Sequence, residues 1–256
     1  FNDVQVVIGL LMDQDGRPVG FEIFPGNTFD GHTVVQSLNS LKEKFNINKL
    51  IFVGDRGICN RDNLKAVVKA GYEYLVGMPV KRESKSIKDK ALDLDSYESS
   101  IISGSEEQEV FKYKTISRIC ELQDKKNKEE ELTAVTETIL CTWTQSRANK
   151  DAHDREVLIE KAQEVLDGKS KLRKPGKAKY LALNEEVKYL DEAKILEDKK
   201  WDGIYAIRTN NTTLSKEEIY HQYHQLWKIE ECFRVMKSHL KIRPVYHWKP
   251  SRVTGH

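Results

Sequence analysis

Residues 215–240, SKEEIYHQYHQLWKIEECFRVMKSHL, decide the fold. They read as one long helix. Ser215 followed by Glu218 is a capping box, in which each side chain satisfies a backbone donor at the helix start. No Pro or Gly follows before Pro244. Ile229, Phe233, Met236 and Leu240 recur at helical spacing and form an apolar stripe. Beside it runs a second line, Tyr223, Leu226, Glu230, Arg234 and Lys237. Seven residues are almost two turns, so Tyr223, Glu230 and Lys237 stack on one face. A carboxylate flanked by basic groups at the edge of a buried face has the makings of a site. The same pattern also suits an amphipathic helix with an ordinary Glu230–Arg234 pair.

A chain of 256 residues can bury a sizeable core, as one large domain or two small ones. No apolar run approaches the ~20 residues of a membrane span. No signal peptide opens the sequence. With Phe rather than Met at position 1, the chain is expected to be part of something longer. The net charge of +2 says little, but its distribution is uneven. Residues 168–180, GKSKLRKPGKAKY, hold six basic residues and no acid, and 228–256 is also basic apart from Glu230 and Glu231. Such patches suit a polyanion, though solvated Lys-rich loops look alike. Cys59, Cys120, Cys141 and Cys232 show no zinc spacing and read as reduced thiols of a cytosolic protein.

Working back to the start, 4–12 is an apolar, β-branched strand and 19–24 a second, joined by a hairpin turn at Asp15-Gly16. Asp30 caps a helix to Phe45, with Val34, Val35, Leu38, Leu41 and Phe45 inward. Residues 50–53, LIFV, form a short buried strand running into Gly54-Asp55-Arg56-Gly57. A helix over 60–70 ends at Gly71, and 72–78 is another strand. This order predicts an α/β layer with a mixed sheet. Residues 80–200 read as an insertion, with strands at 109–119 and 131–143 and a helix at 149–166. A final strand at 201–208 leads into the long helix. The expected division is 1–79, 80–200 and 201–256.

Asp55 stands beyond the carboxyl end of a buried strand, where open α/β sheets bind ligands. Between two glycines it suits either a metal ligand or a turn. Mg²⁺ takes hard oxygen ligands, and Glu230 is the second carboxylate in view. Asp13 and Asp15 read as hairpin residues, Asp3 as solvated and His32 as a first-turn helix residue. Gly26-Asn27-Thr28 reads as a tight turn. No Ser/His/Asp set, Walker loop or dinucleotide fingerprint is present.

Taken together, these residues resemble the DDE transposases of bacterial insertion sequences, which have an RNase H-like fold. The closer resemblance is to the subgroup with a Tyr-x2-Arg-x3-Glu-x6-Lys signature, here Tyr223, Leu226, Glu230 and Lys237. IEECFRVMK at 229–237, PGNTFD at 25–30 and FVGDRG at 52–57 are similar to family segments, and the likeness covers nearly the whole chain. It implies an RNase H-like mixed sheet flanked by helices, with a β-rich insertion before the last catalytic helix. It implies Asp55 and Glu230 as the second and third catalytic acids, holding Mg²⁺ or Mn²⁺. Tyr223 and Lys237 would contact DNA phosphates, and the insertion would grip the transposon end. DNA is the implied partner, both terminal inverted repeats and target, with a homodimer on DNA in a bacterial cytoplasm.

Two departures stand out. Leu226 replaces the signature Arg, so one phosphate contact is expected to be lost or to move to Arg234, one turn beyond Glu230. The first catalytic Asp is not in the chain and is expected on a strand upstream of Phe1, so the chain alone is expected to be inactive. Basic residues Lys171, Arg173 and Lys174 are further DNA candidates, and Trp201 a candidate for stacking on an unpaired base. Two rivals share these residues: a catalytically inactive DNA-binding remnant, and a nuclease that does not join strands.

Overall fold

The computed structural model describes residues 6–13, 17–25, 30–45, 51–54, 61–101, 110–122, 133–169, 179–184, 187–239, 249 and 251–252. The chain divides into two compact units. The first comprises Phe1–Met78, Ser117–Ile139 and Ile207–His256, the second Pro79–Ile116 and Leu140–Ala206.

The apolar runs at the start form β1 (Val6–Met12) and β2 (Pro18–Pro25). They pair antiparallel, with Ile8 opposite Ile23 and Leu10 opposite Phe21. At the turn the Arg17 amide donates to the Asp13 carboxylate at 2.8 Å, giving Asp13 the structural role expected of it. Asp15 and Gly16 lie outside the described residues. Among the described strands, β1 and β2 pair only with each other.

Next come α1 (Asp30–Phe45), β3 (Ile51–Gly54), α2 (Arg61–Lys69) and β4 (Glu73–Gly77). β3 and β4 are parallel, as a strand–helix–strand crossover requires, with Phe52 opposite Tyr74 and Gly54 opposite Val76. α2 ends in a Schellman motif. Gly71, at φ +79°, donates to Val68, and the Tyr72 amide donates to the Val67 carbonyl. Periodicity-two and apolar patterning then give β5 (Glu98–Ile101), β6 (Val110–Leu122) and β7 (Thr133–Thr144), the last two each within three residues of expectation. β10 (Ile204–Thr209) completes a mixed six-stranded sheet in the order β3-β4-β10-β7-β6-β5. The bounds of the two units fall inside β6, β7 and β10. A mixed sheet flanked by helices is the expected RNase H-like class.

The first unit's core joins Leu38 of α1, Leu64 and Val67 of α2, Tyr72, the β4 residues Tyr74 and Val76, Leu122 and Val135. Each such side chain contributes about 1.5–3 kcal/mol on burial. The α2 positions 64, 67 and 68 lie on one helical face, and that face packs on the core.

In the second unit, α3 (Lys85–Leu92) precedes β5, and Thr144 caps α4 (Gln145–Leu166) by accepting from the Arg147 amide at 3.2 Å. β8 (Leu181–Asn184) and β9 (Val187–Leu190) form a separate hairpin, followed by α5 (Glu192–Lys199). The strand expected at 201–208 begins later. Residues 200–203 are instead tight turns closing on Gly203 at φ +82°. A side chain at Gly203 would be strained at that φ, and its Cβ would lie 2.5 Å from Trp143 Nε1 and 2.9 Å from the Ala148 Cβ. Gly203→Ala is therefore expected to destabilise the chain by ~2–4 kcal/mol, combining left-handed strain with overpacking. A thermal melt checks this, and a midpoint within a degree of wild type would contradict it.

Asp198 anchors the same region. Lys179 lies 2.8 Å from its carboxylate, Lys81 3.1 Å and the Tyr180 hydroxyl 2.9 Å. Burial pushes this carboxyl up, but the three hydrogen bonds outweigh it and hold it at about 2. A depressed carboxyl stabilises the fold above its unfolded value and loses that contribution as pH falls through its folded value. Asp198→Asn should thus melt below wild type at neutral pH, and the gap should close between pH 4 and pH 2. A gap independent of pH would contradict the linkage.

Candidate active site

β3 is only four residues long and ends on Gly54, which is buried opposite Val76. Asp55 follows directly in the chain but lies outside the described residues, as do Lys171, Arg173 and Lys174.

The expected single helix at 215–240 is two. α6 (Lys216–His224) and α7 (Leu226–Ser238) meet at Gln225. Neither Pro nor Gly is responsible. At the junction the ladder tightens to i→i+3: Gln225 donates to Gln222 and Lys228 to Gln225. Side chains compete for the same turn, with His224 Nδ1 on the Tyr220 carbonyl at 2.8 Å and Gln225 Nε2 on His221 Nε2 at 2.9 Å.

The capping box at Ser215 is present as expected. The Glu218 amide donates to Ser215 Oγ at 3.2 Å, and the Ser215 amide to the Glu218 carboxylate at 2.7 Å. α6 packs on β3 and β4 and buries Ile219 and Tyr223, the latter at 8% exposure. α7 half-buries Leu226, Ile229, Phe233 and Met236 and turns Trp227, Glu230, Arg234 and Lys237 to solvent. The heptad spacing thus keeps Glu230 and Lys237 on one open face, while Tyr223 lies before the break and is buried.

Two adjacent carboxylates on α7 differ. Glu231 is taken by the Arg234 guanidinium, one turn on. Glu230 has no hydrogen-bond or ion-pair partner among the described residues. Lys237 Nζ rests 5.8 Å from the Phe233 ring centroid. A solvent-facing carboxylate whose oxygens meet no partner among the described residues suits a hard divalent cation. Among the described residues no group of three or more His, Cys, Asp or Glu comes together as a complete metal site. Trp201 is 6% exposed in the second unit, with Lys81 Nζ 5.9 Å from its ring.

Sequence reasoning missed a buried charge network in the first unit. Glu137 of β7 is fully buried. Arg118 of β6 donates to its Oε2 at 2.7 Å, Arg208 of β10 lies 3.6 Å from Oε1, and the Tyr74 hydroxyl of β4 donates to Oε1. Three other strands thus each bring a side chain to the one carboxylate on β7. Burial and the Glu137 charge push the Tyr74 phenol far above its ordinary value, and the same two causes raise the Cys120 thiol. A signal existed: period two places Glu137 on one strand face with Val135 and Ile139, both buried.

No helix among the described residues is long and apolar enough to cross a membrane. No curated protein and no solved structure matches the chain. A family model described as the transposase DDE domain matches residues 5–256, nearly the full length over which the two helices, β3 and the mixed sheet extend. The chain belongs to the DDE transposase family.

Proposed function

We propose that this chain is the catalytic core of a transposase in the Tyr–Arg–Glu–Lys subgroup, cleaving transposon-end phosphodiesters and transferring the freed end to target DNA. The family acts on DNA with divalent metal ions. In this reading Asp55 and Glu230 hold the cation, Mg²⁺ or Mn²⁺. Bound there, it would stabilise the attacking and leaving oxygens of an in-line displacement. Water opens the phosphodiester at the transposon end, and the released 3′-hydroxyl then displaces the leaving oxygen of a target phosphodiester.

The observation that carries this reading is Glu230, a carboxylate on the exposed face of α7 with no partner among the described residues. Its companion α6 packs on β3, the strand that runs into Asp55. Lys237 on the same face, and Lys171, Arg173 and Lys174, supply phosphate contacts, so DNA binding should weaken steeply with salt. Arg234 completes the set on release from Glu231. Tyr223 and Trp201 are left out because both residues are buried. Among the described residues β3 is the end strand of its sheet and β1–β2 pair only with each other. A homodimer on DNA fits this chemistry.

The test is Mg²⁺-dependent cleavage of terminal repeats by the full-length protein, with Asp55→Ala and Glu230→Ala as variants. Unchanged activity in either sinks the assignment. One observation favours the rival of a DNA-binding remnant: Leu226, in the signature Arg position, is half-buried, and Arg234 is paired within its own helix. Metal-independent DNA binding without cleavage by the full-length protein would decide for it.

A further inference from the structure

Between β10 and α6 the sequence runs Thr209-Asn210-Asn211-Thr212-Thr213-Leu214-Ser215. Short polar side chains of this kind bond to nearby backbone and fix turns. Here they also reach across to β4. Thr209 Oγ1, fully buried, donates to the Tyr74 carbonyl at 2.6 Å, and Asn210 Oδ1 accepts from the Tyr74 amide at 2.8 Å. Asn211 is 3% exposed and uses both ends of its amide. Its Nδ2 donates to the Glu73 carboxylate at 2.8 Å. Its Oδ1 accepts from the Thr213 amide at 2.9 Å and the Leu214 amide at 2.7 Å. The next residue is Ser215, the N-cap of α6.

We infer that Asn211 is a positioning residue for the Glu230 carboxylate, fixing the take-off of α6 against β4. The inference rests on the reading of Glu230 as a metal-holding acid. Glu73 opens β4 opposite Ile51 of β3, so the bond from Asn211 refers the helix start to the strand pair that leads to Asp55. Along α6 alone, from Ser215 to His224, the rise is ~14 Å. A tilt of about four degrees at the cap moves the end of α6, from which α7 starts, by ~1 Å, and a displacement of that size can lower a rate ~100-fold. An alternative role for Asn211 is to staple the turn without consequence for catalysis.

The amide has a donor end and an acceptor end, and that polarity separates the two roles. In the full-length protein, Asn211→Ala is expected to lower kcat for Mg²⁺-dependent cleavage ~100-fold at saturating DNA. Its Kd for DNA should stay within about threefold, because the phosphate contacts lie elsewhere. Asn211→Asp keeps the acceptor for Thr213 and Leu214 but sets a second carboxylate against Glu73, and should lose comparable activity. Adding Glu73→Gln lets the residue-73 amide donate to the residue-211 carboxylate, and should restore kcat to within about fivefold of wild type. If Asn211→Ala fails to fold, Glu73→Ala alone serves. It leaves the turn intact and removes the acceptor of Asn211 Nδ2, so kcat should fall severalfold at unchanged Kd. Wild-type kcat in a folded Asn211→Ala or Glu73→Ala protein overturns the inference. So does a loss confined to Kd, or a double variant no better than Asn211→Asp. Retained cleavage in Glu230→Ala would instead remove the underlying reading, whatever Asn211 does.

Discussion

Glu230→Ala is expected to lower Mg²⁺-dependent strand cleavage by the full-length protein at least ~10³-fold, with DNA affinity kept within a few fold. An ion that stabilises developing charge is worth several kcal/mol in the transition state, and ~4 kcal/mol corresponds to ~10³ in rate. The fold should not suffer, because Glu230 is exposed and holds no described partner. The control is its neighbour. Glu231→Ala breaks the exposed pair with Arg234, an interaction whose usual worth is below ~1 kcal/mol, and frees that guanidinium for phosphate. Glu231→Ala should therefore cleave at or near the wild-type rate. Measuring both variants at saturating DNA separates a metal-holding carboxylate from general helix damage. Equal losses in the two would mean that α7 contributes only packing.

The second large effect concerns stability. Glu137→Ala is expected to destabilise the first unit by ~3–5 kcal/mol, the range for removing one partner of a buried ion pair. The Arg118 and Arg208 side chains retain only 18% and 12% exposure, so neither guanidinium can turn freely to water once its carboxylate is gone. The Tyr74 hydroxyl also loses its acceptor. Glu137→Gln should fall between Ala and wild type, since an amide oxygen accepts from one donor while the neutral side chain leaves the charge uncompensated. Chemical denaturation of both variants reads the order directly. A midpoint for Glu137→Ala equal to wild type would show that the two arginines find other partners.

Much of this protein was written locally. β3, β4 and α2 follow from short-range pattern: short apolar runs for the strands, and Gly71 as the stop of the helix between them. The Ser215–Glu218 box was legible because both partners sit within one helical turn. The pairing of Glu230 with Lys237 on one face needed only the helical period. The division of the long helix was not legible, because side-chain bonds from His224 and Gln225 decide it and no residue type announces them. The turn that replaced the start of the last strand depends on Gly203 fitting beneath Trp143, a residue sixty positions away.

The sequence by itself determined the element types, the capping of α6 and the identity of the carboxylates offered for chemistry, because these depend on residues within a turn or two of each other. Tertiary structure decided which carboxylate was spent inside the core. Glu137 was drawn inward by strand register and neutralised by arginines from β6 and β10. Asn211 met Glu73 across 138 positions. Such pairings depend on which strands become neighbours, and that is settled by burial of the whole core rather than by any short stretch of chain.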